Sequence, residues 1–183
     1  LFSEHGYNNF GMRELAKSVG IKASSIYNHY KSKEDILMDI AKELITEMSL
    51  HVYPLFKKTG LTPRAFFTQV SIETNSFFEQ PHIQKLTNLL MPLQFEIKRL
   101  RDLIHVEFVQ KPRTAYSYYF KSLMDKGLMR KDDPMLAAKM YHSFFVYHFY
   151  EKFLSQEPNG FLTKFEPLFR NHITLFMDYF QIQ

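Results

Sequence analysis

Gly6-Tyr7-Asn8-Asn9-Phe10-Gly11-Met12-Arg13-Glu14-Leu15-Ala16-Lys17-Ser18-Val19-Gly20-Ile21-Lys22-Ala23-Ser24-Ser25-Ile26-Tyr27-Asn28-His29-Tyr30 is the stretch that decides the fold of this 183-residue chain. Leu15, Ala16 and Val19 fall at the spacing of one face of a short helix. Ala16 is small enough for a second helix to cross closely. Gly20 follows, where a left-handed residue ends a helix without a Cβ clash. Ile21 is expected to fill the turn and Ile26 to face back onto the first helix. The remaining side chains, Lys22, Ser24, Ser25, Tyr27, Asn28 and His29, point outward. Ammonium, hydroxyl, amide and imidazole groups contact phosphates and base edges in a major groove. An ordinary helical hairpin is the plainer alternative. The small residue, the glycine and the apolar positions together favour the nucleic-acid reader.

Charge alone does not decide between the two. Phe10 to Lys33 holds five bases (Arg13, Lys17, Lys22, Lys31, Lys33) against Glu14. Glu34 to Leu50 holds five acids (Glu34, Asp35, Asp39, Glu43, Glu47) against Lys42. A compact anion-binding surface at the N-terminal end fits this division, as do ordinary solvated helix faces.

Outward from this stretch the chain reads as helical throughout, with no convincing two-residue alternation. The expected helices are 1–5, 12–18, 24–30, 33–51, 63–79, 82–91, 93–110, 113–126, 134–154 and 162–181. Thr62-Pro63 and Asp133-Pro134 each place a capping side chain before a proline at the first helical position. Ser32 with Asp35 forms a capping-box pattern, and Lys126-Gly127 marks a helix stop. Pro54 follows the helix 33–51, within which the domain boundary is expected. The fold class is therefore all-α: a DNA-binding domain over 1–48 and a helical domain over 49–183.

Composition narrows the function further. The apolar fraction of 45% and charged fraction of 23% suit a globular core. With no cysteine there is no disulfide framework and no thiol catalysis. The longest run free of Asp, Glu, Lys and Arg is Met140–Tyr150, short of the ~18 apolar residues of a membrane span. No two of the eight histidines lie three or four apart, and no phosphate loop or nucleophile elbow appears. No catalytic residue, metal ligand or cofactor is expected, and the chain does not read as an enzyme. Leu1 is not Met and lies inside an apolar pattern, so the N-terminus reads as truncated.

Gly6-Tyr7, Met12-Arg13-Glu14-Leu15-Ala16, Val19-Gly20-Ile21, Tyr27-Asn28-His29-Tyr30, Lys33 and Ile36-Leu37 resemble the N-terminal signature of TetR-family transcriptional regulators. The resemblance is specific over roughly 1–50 and architectural beyond. It implies that the first three helices bind DNA and the rest binds an effector and dimerises. By position, Tyr27 and His29 resemble the family's phosphate contacts, and Lys33 its lysine near the DNA backbone. Lys22, Ala23, Ser24, Ser25 and Asn28 occupy positions that vary with operator sequence. The family often has Ser or Thr where this chain has Gly11, and Ser where it has Lys22. Lys is a poor cap, which leaves the Lys22 ammonium for a phosphate.

The body carries most of the 19 Phe and 11 Tyr. On 134–154, Ala137, Tyr141, Phe144, Phe145 and His148 form one stripe, and Leu136, Met140, Tyr147 and Tyr150 a second. The helix 162–181 is apolar nearly all round. Two such helices need cover, which a second chain supplies as a four-helix interface. A homodimer through 134–154 and 162–181 would read a palindromic operator. Phe66, Phe67, Phe77, Tyr116, Tyr119, Phe120, Tyr141, Phe145 and His148 are the candidates for an effector site, for a lipophilic or aromatic small molecule. The resemblance implies a bacterial, cytoplasmic, one-component repressor that such an effector releases. The rival is a helical ligand carrier or helical enzyme without DNA-binding function.

Overall fold

The computed structural model describes residues 2, 6–155 and 161–183, with side chains at 2, 6–151 and 165–183. The expected helix 1–5 and part of the connection after 154 lie outside the described residues. Nine α-helices are described: α1 Met12–Ser18, α2 Ala23–His29, α3 Lys33–His51, α4 Pro63–Phe78, α5 Pro81–Leu93, α6 Lys98–Ile104, α7 Lys111–Asp125, α8 Pro134–Ser155 and α9 Phe161–Phe180. Single 3-10 turns occupy Tyr7–Asn9 and Tyr53–Lys57, and His105–Gln110 is a π-helical turn. Among the described residues there is no strand.

The capping signals act as their chemistry requires. Asp35 N–H donates to Ser32 Oγ at 3.2 Å and Ser32 N–H to Asp35 Oδ2 at 3.1 Å, a closed capping box with Asp in the place of Glu. Thr62 Oγ1 accepts from Ala65 N–H at 3.3 Å, and Asp133 Oδ1 from Met135 N–H at 2.8 Å. Gly127 (φ +71°) ends α7, and the Leu128 N–H donates back to Leu123 O at 2.9 Å.

Three details differ from the sequence reading. Helix α5 runs through Pro92 to Leu93 instead of stopping at 91. A proline in the last turn removes one backbone donor only, and Gln94 Nε2 caps the end by donating to Met91 O at 2.7 Å. The expected helix 93–110 is not one element: turns occupy 94–96, α6 begins at Lys98, and the π turn follows. Pro112 lacks an N–H and its ring crowds the preceding turn, which accounts for the helix widening there.

The chain packs as two units, Leu1–Glu47 with Gln80–Ile104, and Met48–Glu79 with His105–Gln183. The first break falls beside the expected 48/49 boundary, but the units are not consecutive stretches. In the first unit Phe2, Met12, Leu15, Ala16 and Ile26 form a buried cluster, with Tyr30, Ile36, Ile40 and Leu89 packed against it. Leu89 brings α5 to the hairpin. Arg99, next to the start of α6, reaches Glu34 Oε1 and Asp35 Oδ1, each at 3.1 Å. Asn8 Nδ2 donates to Glu96 Oε2 at 3.3 Å, and His82 meets Glu47 at 2.8 Å.

In the second unit α4, α7, α8 and α9 enclose a core rich in rings. Phe66, Phe67, Phe120, Tyr141, Phe169 and Phe180 are all less than 3% exposed. Ala137 and Ala138, both 0% exposed, let α8 approach its neighbours closely. The C-terminus is tied down by Gln183 N–H to Leu128 O at 3.1 Å and Arg130 N–H to Phe180 O at 2.9 Å.

Candidate nucleic-acid interface and effector body

Helices α1 and α2 are only seven residues each, too short to be stable alone. Their positions come from caps and burial. Gly11 N–H donates to the Glu14 carboxylate at 2.7 Å at the start of α1. At its end Gly20 adopts φ +73°, Gly20 N–H donates to Lys17 O at 3.2 Å and Ile21 N–H to Ala16 O at 3.0 Å. That backbone motif closes the turn, and it corrects two expectations. Val19 is 61% exposed and Ile21 45% exposed, so neither lines the hairpin nor fills the turn. Val19 lies beyond the last helical residue, where its side chain leaves the buried face. Leu15 and Ala16 do line that face, and Ile26 anchors α2 against them.

With Ile26 buried, the opposite face of α2 is presented outward. Lys22, Ser24, Tyr27, Asn28 and His29 are exposed, while Ala23 and Ser25 are half-buried. Lys22 makes no side-chain cap, as its chemistry predicts. Lys17 and Lys31 flank this face and are also exposed. The neighbouring acids are engaged. Arg99 pairs with Glu34 and Asp35, and Asp39 with Lys42 at 2.8 Å. The Ser32 hydroxyl and then Arg99 hold the Asp35 carboxyl below its usual range. Two carboxylates close to the outward face are thus partly neutralised from within.

Lys33, the first residue of α3, makes internal contacts that the sequence did not foresee. Its Nζ donates to Tyr7 O at 2.6 Å and Phe10 O at 3.0 Å, and sits 4.2 Å over the Tyr7 ring. Lysine has three N–H bonds, and these two acceptors use two of them. Lys33 is first a clamp that holds the Tyr7–Phe10 segment against the hairpin. No sequence signal pointed to this contact, which spans 26 residues.

Most of the candidate effector residues meet. Phe66, Phe67, Tyr116, Phe120 and Tyr141 share one buried cluster, with Tyr119 and Phe145 packed against it. Phe66 and Tyr119 stack at 4.0 Å, and Tyr141 lies 4.9 Å from both Phe67 and Tyr116. Phe77 lies elsewhere, 5.6 Å from His51. His148 packs on Phe144 and Phe165 at 4.3 Å each and meets Glu151 at 2.7 Å. Burial raises the Tyr119 hydroxyl to about 12 and drives Tyr116 and Tyr141 higher still. Burial, with Arg113 nearby, lowers His142 to about 4. Ser71, Asn75, Arg113 and His142 in this region were not singled out in the sequence.

No group of three or more His, Asp or Glu side chains fit to hold a metal occurs among the described residues. No helix there is long and apolar enough to cross a membrane.

Residues 1–44 match the family model described as bacterial regulatory proteins, tetR family. Over 128 residues the chain is 24% identical to the HTH-type transcriptional repressor KstR2 of Mycolicibacterium smegmatis, covering 70% of this chain. The match spans only 60% of that repressor. A crystal structure of a TetR-family regulator from Mesorhizobium loti superposes with a TM-score of 0.74 at 16% identity, over 98% of this chain and 90% of that one. SmeT, the repressor of the Stenotrophomonas maltophilia multidrug efflux pump SmeDEF, gives 0.72 at 16% identity, over 100% and 85%. A SmeT–triclosan complex is equally similar, at 0.72. At these identities the structural likenesses speak for the fold.

Proposed function

We propose, from the premise that residues 1–44 place this chain in the bacterial tetR family, that it is a homodimeric, operator-binding transcriptional repressor released by a small molecule. The observation that carries the reading is α2 itself. Ile26 fixes its inner side while Lys22, Ser24, Tyr27, Asn28 and His29 stand exposed on a base-rich surface. In this reading Asn28 and Ser24 meet base edges, and Lys22, Tyr27 and His29 meet phosphates. The names of KstR2 and SmeT as repressors support repression as the default action. The protein acts in the cytoplasm, where the DNA is, and catalyses nothing.

The dimer forms through α8 and α9. Leu136, Met140 and Tyr147 on α8 are 50%, 44% and 62% exposed, and Leu168, Leu175 and Tyr179 on α9 are 48%, 69% and 57% exposed. Two apolar stripes on adjacent elements suit a two-fold, self-complementary interface. It sets two copies of α2 one helical turn of DNA apart, so the operator is palindromic. The effector binds the aromatic body; that SmeT, of the same fold, forms a complex with triclosan supports an aromatic small molecule as the ligand.

Selection of tight-binding duplexes from random DNA tests this reading. Enrichment of a palindrome with half-sites about one turn apart is expected. A folded dimer that enriches no sequence would favour a ligand carrier instead.

A further inference from the structure

Five buried polar atoms in the second unit make no well-formed hydrogen bond: Ser71 Oγ, Asn75 Nδ2, Arg113 Nε, Tyr141 Oη and His142 Nδ1. A native domain keeps few such groups, because each buried unmade hydrogen bond is destabilising. These five are not scattered. Ser71 and Asn75 are one turn apart on α4, Tyr141 and His142 are adjacent on α8, and Arg113 is on α7. Tyr116 joins them, with its ring 4.9 Å from Tyr141 and 6.1 Å from His142. Burial pushes the Tyr141 hydroxyl up, a long hydrogen bond with the Ser71 hydroxyl offsets part of that push, and the Arg113 charge bears on His142. Three of the five residues are more than nine-tenths buried: Ser71 is 3% exposed, Tyr141 0% and His142 9%.

The set is richer in donors than in acceptors. Arg113 Nε and Asn75 Nδ2 can only donate, and the two hydroxyls each have a proton to give. A cationic head group would meet the Arg113 charge and too few acceptors. A carboxylate offers two oxygens with about four acceptor positions and a negative charge. Beside the cluster stand the rings of Phe67 and Tyr119. We propose that the effector is a lipophilic organic acid, its carboxylate held by Arg113, Tyr141, Ser71, Asn75 and His142 and its apolar part laid among the rings. This rests on the reading above that the body takes an effector, and it specifies that ligand's class.

The test uses the whole chain, isothermal titration and thermal melting. The probes are 4-phenylbutyrate and decanoate, each paired with the alcohol of the same skeleton. At least one acid is expected to bind at least about ten-fold tighter than its alcohol, as a hydrogen-bonded charge predicts. Arg113→Gln abolishes that preference and leaves the alcohol's affinity alone. Tyr141→Phe removes a poorly bonded hydroxyl without changing shape. It weakens the acid several-fold and leaves the ligand-free melting temperature unchanged or higher. Four results overturn the inference: neither acid binds, acid and alcohol bind alike, the preference survives Arg113→Gln, or Tyr141→Phe melts lower. The last would show that bound water satisfies the hydroxyl. Titrating the same preparations with the selected duplex separates the two readings. DNA binding without acid binding sinks the organic-acid inference alone, and acid binding without DNA binding sinks the regulator.

Discussion

Replacing Lys33 with Met keeps the aliphatic stem and removes the ammonium that clamps the Tyr7–Phe10 segment. Two charge-assisted hydrogen bonds are lost, at 2.6 and 3.0 Å, together with the contact over the Tyr7 ring. Hydrogen bonds to charged groups contribute about 1.5–3 kcal/mol each. The site is half-buried, so the low end applies and water recovers part of the loss. A cation over a ring adds about 0.5–1 kcal/mol at such sites. The net destabilisation of the first unit is about 2–3 kcal/mol. At roughly 2–4 °C per kcal/mol for a chain of this length, the melting temperature falls by about 4–12 °C. Circular dichroism measures that shift, and hydrogen exchange on peptides spanning 6–18 should quicken. Affinity for specific and random duplexes falls together, because the whole reading head loosens. If the third N–H also meets a phosphate, the salt slope drops by about one. Unchanged melting and unchanged exchange, with the slope still lower by one, would refute the clamp and assign Lys33 to the DNA alone.

Asn28→Ala should cost about 1–3 kcal/mol on the selected duplex and little on random DNA, measured by anisotropy; equal losses would remove Asn28 from base readout. Leu175→Glu puts a charge at the centre of the proposed α9 stripe, and light scattering should then find a monomer; a persisting dimer would place the interface elsewhere. His142 is held near 4 against an ordinary 6.5, so the unfolded chain takes up its proton first as pH falls. Stability should therefore decline from about pH 6.5 down to about 4, by about 3 kcal/mol from this residue. The lowered pKa of His172 acts in the same sense. Denaturant titrations of His142→Leu across that range should show a flatter profile; an unchanged slope would discount the buried imidazole.

The hairpin was legible because its signals are local. Ala16, Gly20 and Ile26 lie within eleven residues, and each dictates one thing: close approach, a left-handed stop and an inward anchor. Val19 and Ile21 misled because apolar character was read as burial, whereas the turn is closed by backbone hydrogen bonds at Gly20 and Ile21. The caps at Ser32, Thr62 and Asp133 were equally local. What escaped depends on distant partners. Nothing in the sequence ties Lys33 to Tyr7 O, or Arg99 to Glu34, and nothing marks 80–104 as packing with the N-terminal helices. The π turn before Pro112 was hidden because hydrophobic spacing continues through it. The polar cluster was hidden because Ser71, Asn75, Arg113 and His142 look like solvent-facing residues until the fold buries them. Of the aromatic candidates, Phe66, Phe67, Tyr116, Tyr119, Phe120, Tyr141 and Phe145 came together, while Phe77, also on α4, packs on His51, and His148, also on α8, packs on Phe144 and Phe165.

The central claim is that the exposed face of α2 reads sequence rather than merely attracting phosphate. The most direct measurement is the ratio of dissociation constants for the selected palindrome and for a duplex of the same composition in scrambled order, taken at physiological salt with the full-length dimer. A ratio of about a thousand or more is expected. A ratio near one, with both affinities falling steeply as salt rises, would reduce α2 to a basic surface and contradict the regulator reading.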